Sequence, residues 1–147
     1  MIVRRAIEAD HPVWAAMLAK LHRPWGDAAE FLTEIPGWLT LAEPMVCWLA
    51  LDDDGTPVGM VDARVRNYAE GAPELAAAYV EDLWVEESHR HRGVARALVG
   101  AVEAWGREQG LGWLGSDAEP SNAPSRAFHQ AVGFEEFEQI VVFGKPL

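Results

Sequence analysis

Arg90-His91-Arg92-Gly93-Val94-Ala95 is the stretch whose reading decides the fold, because the chain changes period on either side of it. Upstream, residues 79–85 (Tyr-Val-Glu-Asp-Leu-Trp-Val) carry strand composition, and alternation puts Glu81, Leu83 and Val85 on one side. Downstream, Val94, Leu98, Val102 and Trp105 recur at helical spacing as one apolar stripe, and Gly110 is the natural stop. A helix start presents unpaired backbone N–H groups and a positive dipole end worth about half an elementary charge, so an anion is stabilised there. Gly93 lets that anion approach the backbone, Arg90 and Arg92 add charge and donors, and Ala95 keeps the first turn low. The segment therefore reads as a diphosphate cradle.

Working outward, residues 2–6 read as a short strand, after which Asp10 can cap a helix with Trp14, Leu18 and Leu21 on one face. Asp27 and Glu30 have capping-box spacing ahead of a second helix, which Pro36 and Gly37 are expected to end. Residues 45–51 and 58–66 form a hairpin about Asp52-Asp53-Asp54-Gly55-Thr56. The three aspartates lack the remaining ligands of a calcium loop, so no metal is expected. A polar connection, 67–78, precedes the strand at 79–85. Beyond the long helix come a strand at 113–117, a helix at 122–132 with Pro124 in its first turn, and a last strand at 137–143. The order implies an α/β (α+β) fold with a mixed sheet and helices packed on its faces.

At 147 residues the chain has the length of one domain, 1–147. The net charge of -11 disfavours nucleic acid and anionic membranes and favours cationic partners. Neither a signal peptide nor a membrane span is read, and the lone Cys47, in an apolar run, fits packing in a reducing cytoplasm.

Residues 90–95 resemble the acetyl-CoA-binding motif of the GNAT N-acetyltransferase superfamily, Arg/Gln-x-x-Gly-x-Gly/Ala. The resemblance continues through Asn122, Ser125 and the Gly133-Phe134 pair, the second cofactor motif of that superfamily. Tyr79-Val80-Glu81, Gly115-Ser116-Asp117 and Phe128 to Phe134 resemble the aminoglycoside 6'-N-acetyltransferases in particular. Trp14, the hairpin and Asp62-Ala63-Arg64-Val65-Arg66 extend the likeness into the first half.

The resemblance implies a GNAT fold whose mostly antiparallel sheet is splayed between its fourth and fifth strands, with acetyl-CoA as cosubstrate. It implies that the backbone of Leu83, Trp84 and Val85 pairs with the pantetheine arm. Residues Arg90, His91, Arg92, Gly93, Val94 and Ala95 would hold the pyrophosphate, with Asn122 and Ser125 near the arm. The implied reaction is direct attack of an amine on the thioester, most specifically the 6'-amine of an aminoglycoside. An ammonium group must first lose a proton, so Glu81 is the candidate to bind it and relay that proton through water, with Asp117 as partner. Asp117 reads equally as a cap of the following helix.

Many members of the superfamily have a tyrosine four residues before the Gly-Phe pair as acid for the thiolate. This chain has His129, open between that role and packing. Tyr68 and Glu70, with Glu74, are candidates to line the cationic substrate's path. Trp25 and Trp38 stand open between a sugar-stacking wall and a subunit contact. The subfamily likeness also implies a homodimer, for which the apolar last strand would offer an edge. Two other readings stand beside this one: acetylation of another amine (a polyamine, a metabolite or a protein N-terminus), and a non-catalytic acetyl-CoA-binding module.

Overall fold

The computed structural model describes residues 1–147, which divide into two compact units, 1–116 and 117–147. The first unit is a five-stranded sheet in the order β1-β2-β3-β4-β5 with three helices. Its elements are β1 (Ile2–Arg5), α1 (His11–Leu21), α2 (Ala28–Trp38), β2 (Val46–Leu51), β3 (Pro57–Arg66), β4 (Ala77–Val85), α3 (Val94–Glu108) and β5 (Leu114–Gly115). Strands β1 to β4 run antiparallel to their neighbours, and β5 runs parallel to β4. No helix is long and apolar enough to cross a membrane.

Alternation along the strands builds two unlike faces. Val46, Trp48 and Ala50 of β2, Val61 and Ala63 of β3, and Ala78, Val80 and Val85 of β4 pack under the stripe Val94, Leu98, Val102 and Trp105 of α3. The intervening Cys47, Leu49 and Met60 pack with Trp14, Ala15, Met17 and Leu18 of α1 and Ile35 of α2. Cys47 is a buried free thiol. Gly59 lets β3 pass close beneath α3, since a β-carbon there would lie 3.0 Å from the Trp84 carbonyl oxygen and 3.1 Å from Val94, contacts that would push the neighbours aside by a few tenths of an ångström.

One irregularity reassigns a strand face. Asp62 pairs with Asp82 and Ala63 with Val80, so Glu81 is an extra residue in β4, a β-bulge. Simple alternation puts Glu81 beside Leu83 and Val85. Instead the bulge advances the pleat by one, so Leu83 and Val85 join the α3 face while Glu81 bonds to Arg64 and Arg66 on the opposite one.

Three further expectations change. Helix α2 passes through Pro36 and Gly37 to Trp38, because a proline in the last turn removes one bond while Leu39 N–H still donates to the Ile35 carbonyl. Asp10 does not cap α1 with its side chain; the carboxylate accepts instead from Arg4 and from the backbone N–H of Ile7. Strand β5 is two residues long rather than five.

The second unit holds α4 (Ala123–Ala131) and no strand. Its N-cap is Asn122, whose side chain accepts from the Ser125 N–H, and this removes the reading of Asp117 as the cap. Residues 137–143, expected as a strand, have no regular secondary structure. Ile140, Val141, Val142 and Phe143 are 62%, 78%, 84% and 89% exposed. Strand composition measures fit to a pleated, half-buried surface and forms nothing without a neighbour to pair with.

Candidate functional site

Strands β4 and β5 share only two rungs, Ala78 with Leu114 and Tyr79 with Gly115. Past Tyr79 the ladder stops, and the β5-side edge of β4 from Val80 to Val85 runs on without a paired strand. This is the splay. The Trp84 indole N–H, buried on this stretch, has no hydrogen-bond partner.

Beyond Val85 the chain turns through residues 90–93 into α3. His91 and Gly93 both adopt positive φ, 60° and 82°. That double left-handed passage turns the chain sharply, and α3 begins with no side-chain cap and no acidic residue in its first turn. A β-carbon on Gly93 would meet nothing within 4 Å, so there is space around it, and its positive φ favours glycine. Arg90 is spent partly on holding the turn: its Nε donates to the Val85 carbonyl at 3.1 Å and its guanidinium lies 5.1 Å from the Trp84 ring centre. His91 and Arg92 are exposed. An uncapped helix mouth beside an unpaired strand edge fits a nucleotide diphosphate with an extended, amide-bearing arm.

On the face opposite α3, β3 and β4 carry a charged cluster. Glu81 accepts from Arg64 Nε at 2.8 Å and from Arg66 Nε and Nη2 at 2.7 and 2.6 Å. Burial pushes the Glu81 carboxyl up, but the hydrogen bonds from Arg66 and then Arg64 outweigh it and hold the group below its ordinary range. Arg66 also lies 3.7 Å over the Tyr79 ring.

Further along the same strand pair, Asp62 of β3 is fully buried. Its Oδ2 accepts from the Trp14 indole at 2.8 Å and its Oδ1 from the Asp82 backbone N–H at 3.0 Å. It thus supplies the acceptor for the amide that follows the bulge and ties α1 to it. Burial, with Asp82 nearby, raises the Asp62 carboxyl well above its ordinary range. The Asp82 side chain meets His22 at the end of α1, Oδ1 to Nε2, at 2.7 Å. The His22 ring lies 5.7 Å from that of Phe31 in α2.

The remaining sequence candidates fall elsewhere. Tyr68 is exposed, Glu70 half-buried and Glu74 exposed, all in the connection before β4. Trp38 is half-buried against the core of α1 and α2, 6.1 Å from Trp14 and 6.3 Å from Phe31, whereas Trp25 is 80% exposed. In the second unit Asp117 is exposed. His129 bonds the Ser125 carbonyl through Nδ1 at 2.8 Å and packs against Phe128 and Phe134, with centroids at 5.7 and 5.1 Å.

Asp82 and His22 were missed by the sequence reading, and Asp62, Arg64 and Arg66 were read only as part of a likeness. A signal existed for three of them. On β3 the charged residues 62, 64 and 66 alternate with apolar 61, 63 and 65, the mark of a strand whose second face is ionic. Nothing local marks His22, which reaches its partner from 60 residues away.

The chain matches the model of the acetyltransferase (GNAT) family over residues 11–134. It is 37% identical to an aminoglycoside N(6')-acetyltransferase type 1 of Stenotrophomonas maltophilia, over 99% of this chain and 93% of that protein. It is 34% identical to the enzyme of that name from Klebsiella aerogenes, over 99% and 97%. Among solved structures, AAC(6')-Iy in complex with the bisubstrate analogue CoA-S-monomethyl-acetylneamine superposes with a TM-score of 0.90 at 30% identity, covering 99% of this chain and 98% of that one.

Proposed function

Because the chain belongs to the GNAT acetyltransferase family, we propose that it transfers the acetyl group of acetyl-CoA to the 6'-amine of an aminoglycoside. The single observation that carries the substrate is the likeness, over nearly the full length of both chains, to aminoglycoside N(6')-acetyltransferases. The net charge of -11 agrees with a polycationic acceptor, by drawing it in at long range. On this reading the two units make one acetyltransferase domain, acting in the cytoplasm as a homodimer. The exposed apolar residues 140–143 are its proposed subunit contact.

The thioester of acetyl-CoA supplies the activated acetyl group. The chain's own residues do the rest. The backbone at Gly93, Val94 and Ala95, with Arg90, His91 and Arg92, holds the diphosphate. The unpaired edge at Leu83, Trp84 and Val85 lines up the arm, and an N–H on it receives the negative charge that develops on the carbonyl oxygen. Asn122 and Ser125 border the arm. Glu81, kept ionised by its two arginines, binds the reactive ammonium and passes its proton on through water, with Asp117 as second carboxylate. Tyr68 and Glu70 line the approach of the sugar. His129, its ring set by the Ser125 carbonyl, protonates the departing thiolate.

The test is release of free thiol from acetyl-CoA across aminoglycosides, polyamines and peptides, followed by location of the acetyl group on the product. Thiol release with kanamycin and acetylation at its 6' nitrogen is the expected result. Turnover confined to polyamines or peptides would replace the acceptor, and binding of coenzyme A without turnover of any amine would remove the enzymatic reading.

A further inference from the structure

Deprotonation of the acceptor needs a group that can keep the proton, and Glu81 is poorly made for that. Three hydrogen bonds from Arg64 and Arg66 occupy most of its acceptor positions and favour the ionised form. Even unclamped, a carboxyl lies about 6 pKa units below an alkylammonium, whereas an imidazole lies only about 4 below. Glu81 can hold a cation and hand its proton along, but the relay requires an end point.

Resting on the aminoglycoside acetyltransferase reading above, we infer that the relay ends on His22, oriented by Asp82. Asp82 is the residue after the bulge, next to Glu81 in β4, and its carboxylate engages His22 Nε2 at 2.7 Å. With Asp82 ionised, Nε2 carries the hydrogen and the lone pair sits on Nδ1, the ring nitrogen turned away from the carboxylate. The dyad is anchored at both ends. Asp62 takes the Asp82 backbone N–H and the Trp14 indole from within the core, and Phe31 packs on the imidazole. The His22 side chain is 41% exposed, which leaves water free to reach it, while Asp82 is 18% exposed. A carboxylate that fixes the tautomer of an imidazole and stabilises the imidazolium is the arrangement by which histidine serves as a general base.

The step balances as follows. The substrate ammonium, bound by Glu81, gives one N–H proton, relayed by solvent water, to His22 Nδ1, and becomes a neutral amine. Its nitrogen lone pair forms the C–N bond to the acetyl carbon as the C–S bond breaks and its electron pair leaves on sulfur. His129 gives a proton to the thiolate and is restored by the second proton from that nitrogen, giving coenzyme A thiol and a neutral amide. The imidazolium, paired with Asp82, returns its proton to solvent.

The experiment uses the full chain with acetyl-CoA and kanamycin. His22→Ala is expected to lower kcat by about 100-fold, the range for losing a general base, while KM for kanamycin and Kd for coenzyme A change less than about twofold. Millimolar imidazole added to His22→Ala should restore part of kcat, which a purely structural histidine would not allow. His22→Gln keeps an N–H for Asp82 and guards against a folding defect. It should show the same loss, and Asp82→Asn a loss of at least about tenfold. A kcat for His22→Ala or His22→Gln equal to wild type would overturn the assignment. So would a loss that appears in KM or is untouched by imidazole. Wild-type protein inactive on every amine would instead remove the function beneath it, a result distinct from an active wild type whose His22 variants are equally active.

Discussion

The two faces of the same three strands, β2 to β4, do different work. Toward α3 they present Val46, Trp48, Val61, Ala63, Ala78 and Val80, a dry layer closed by Leu98 and Val102. Toward α1 and α2 they present a second apolar cluster, Cys47, Leu49 and Met60 packed with Trp14, Leu18 and Ile35, and beside it β3 and β4 carry Asp62, Arg64, Arg66, Glu81 and Asp82, with His22 coming in from the helix. The first face repays the entropy of folding by apolar burial. The second adds to its apolar packing a cluster of polar and charged groups, each held by a specific partner, a costly arrangement that burial alone would never select. The bulge at Glu81 is the point where β4 passes from one alternation to the next. The pleat thus keeps the proposed chemistry off the α3 face, while apolar packing stabilises both faces.

Substitutions should respect that separation. Leu98→Ala, on the dry face, should cost about 3 kcal/mol of unfolding free energy, read from urea denaturation, with kcat for the remaining folded enzyme nearly unchanged. A large drop in kcat would show the two faces to be coupled. Glu81→Gln, on the charged face, should lower kcat by roughly 100-fold with coenzyme A affinity intact, measured by steady-state kinetics and calorimetry. Unchanged turnover would end its assignment.

Asp62→Asn should cost about 1–3 kcal/mol, because one of two buried donors, the Trp14 indole or the Asp82 amide, loses its acceptor. It should also lower kcat if the bulge shifts. Asp27→Ala removes the acceptor that caps α2 at 2.9 Å and should cost about 1 kcal/mol, visible as a lower urea midpoint with no change in kcat.

Stability against pH tests the charged face without any substitution. Glu81 is held below its ordinary range in the fold, so the unfolded chain binds its proton at higher pH than the native one. Its contribution is complete above the ordinary carboxyl value and is lost as pH falls through the depressed one. Asp62 has the opposite sign: raised in the fold, it favours the native state at low pH and costs stability as pH climbs past the ordinary carboxyl value. Urea titrations from pH 3 upward should show the second trend weakened in Asp62→Asn.

The dry face was legible in the sequence. Val94, Leu98, Val102 and Trp105 at helical spacing after Gly93 define α3, and the even positions of β2 define what lies beneath it. Local pattern and tertiary environment agree there. The charged face was half legible. Glu81 was found, but its direction was misread, because a bulge inserts one residue with no signature in composition. Asp62 and His22 depend on partners 48 and 60 residues away, contacts that periodicity cannot register. Strand β5 reads longer in sequence than it is, since the parting from β4 that shapes the proposed cofactor site ends the ladder after two rungs. Residues 137–143 have the composition of a strand and no ladder to give it form.

Gly115 closes the ladder between β4 and β5, and its bare α-carbon faces the Tyr79 ring. A methyl group there would sit 2.7 Å from Cδ2 of that ring. Tyr79 has little room to yield, because the Arg66 guanidinium rests 3.7 Å above it and also grips Glu81. Glycine, aromatic ring, guanidinium and carboxylate stand in series like links of a short linkage. Adding a single carbon at its far end would be transmitted to the group proposed to meet the amine, and the least conspicuous residue of the sheet would then govern the aim of its most exacting one.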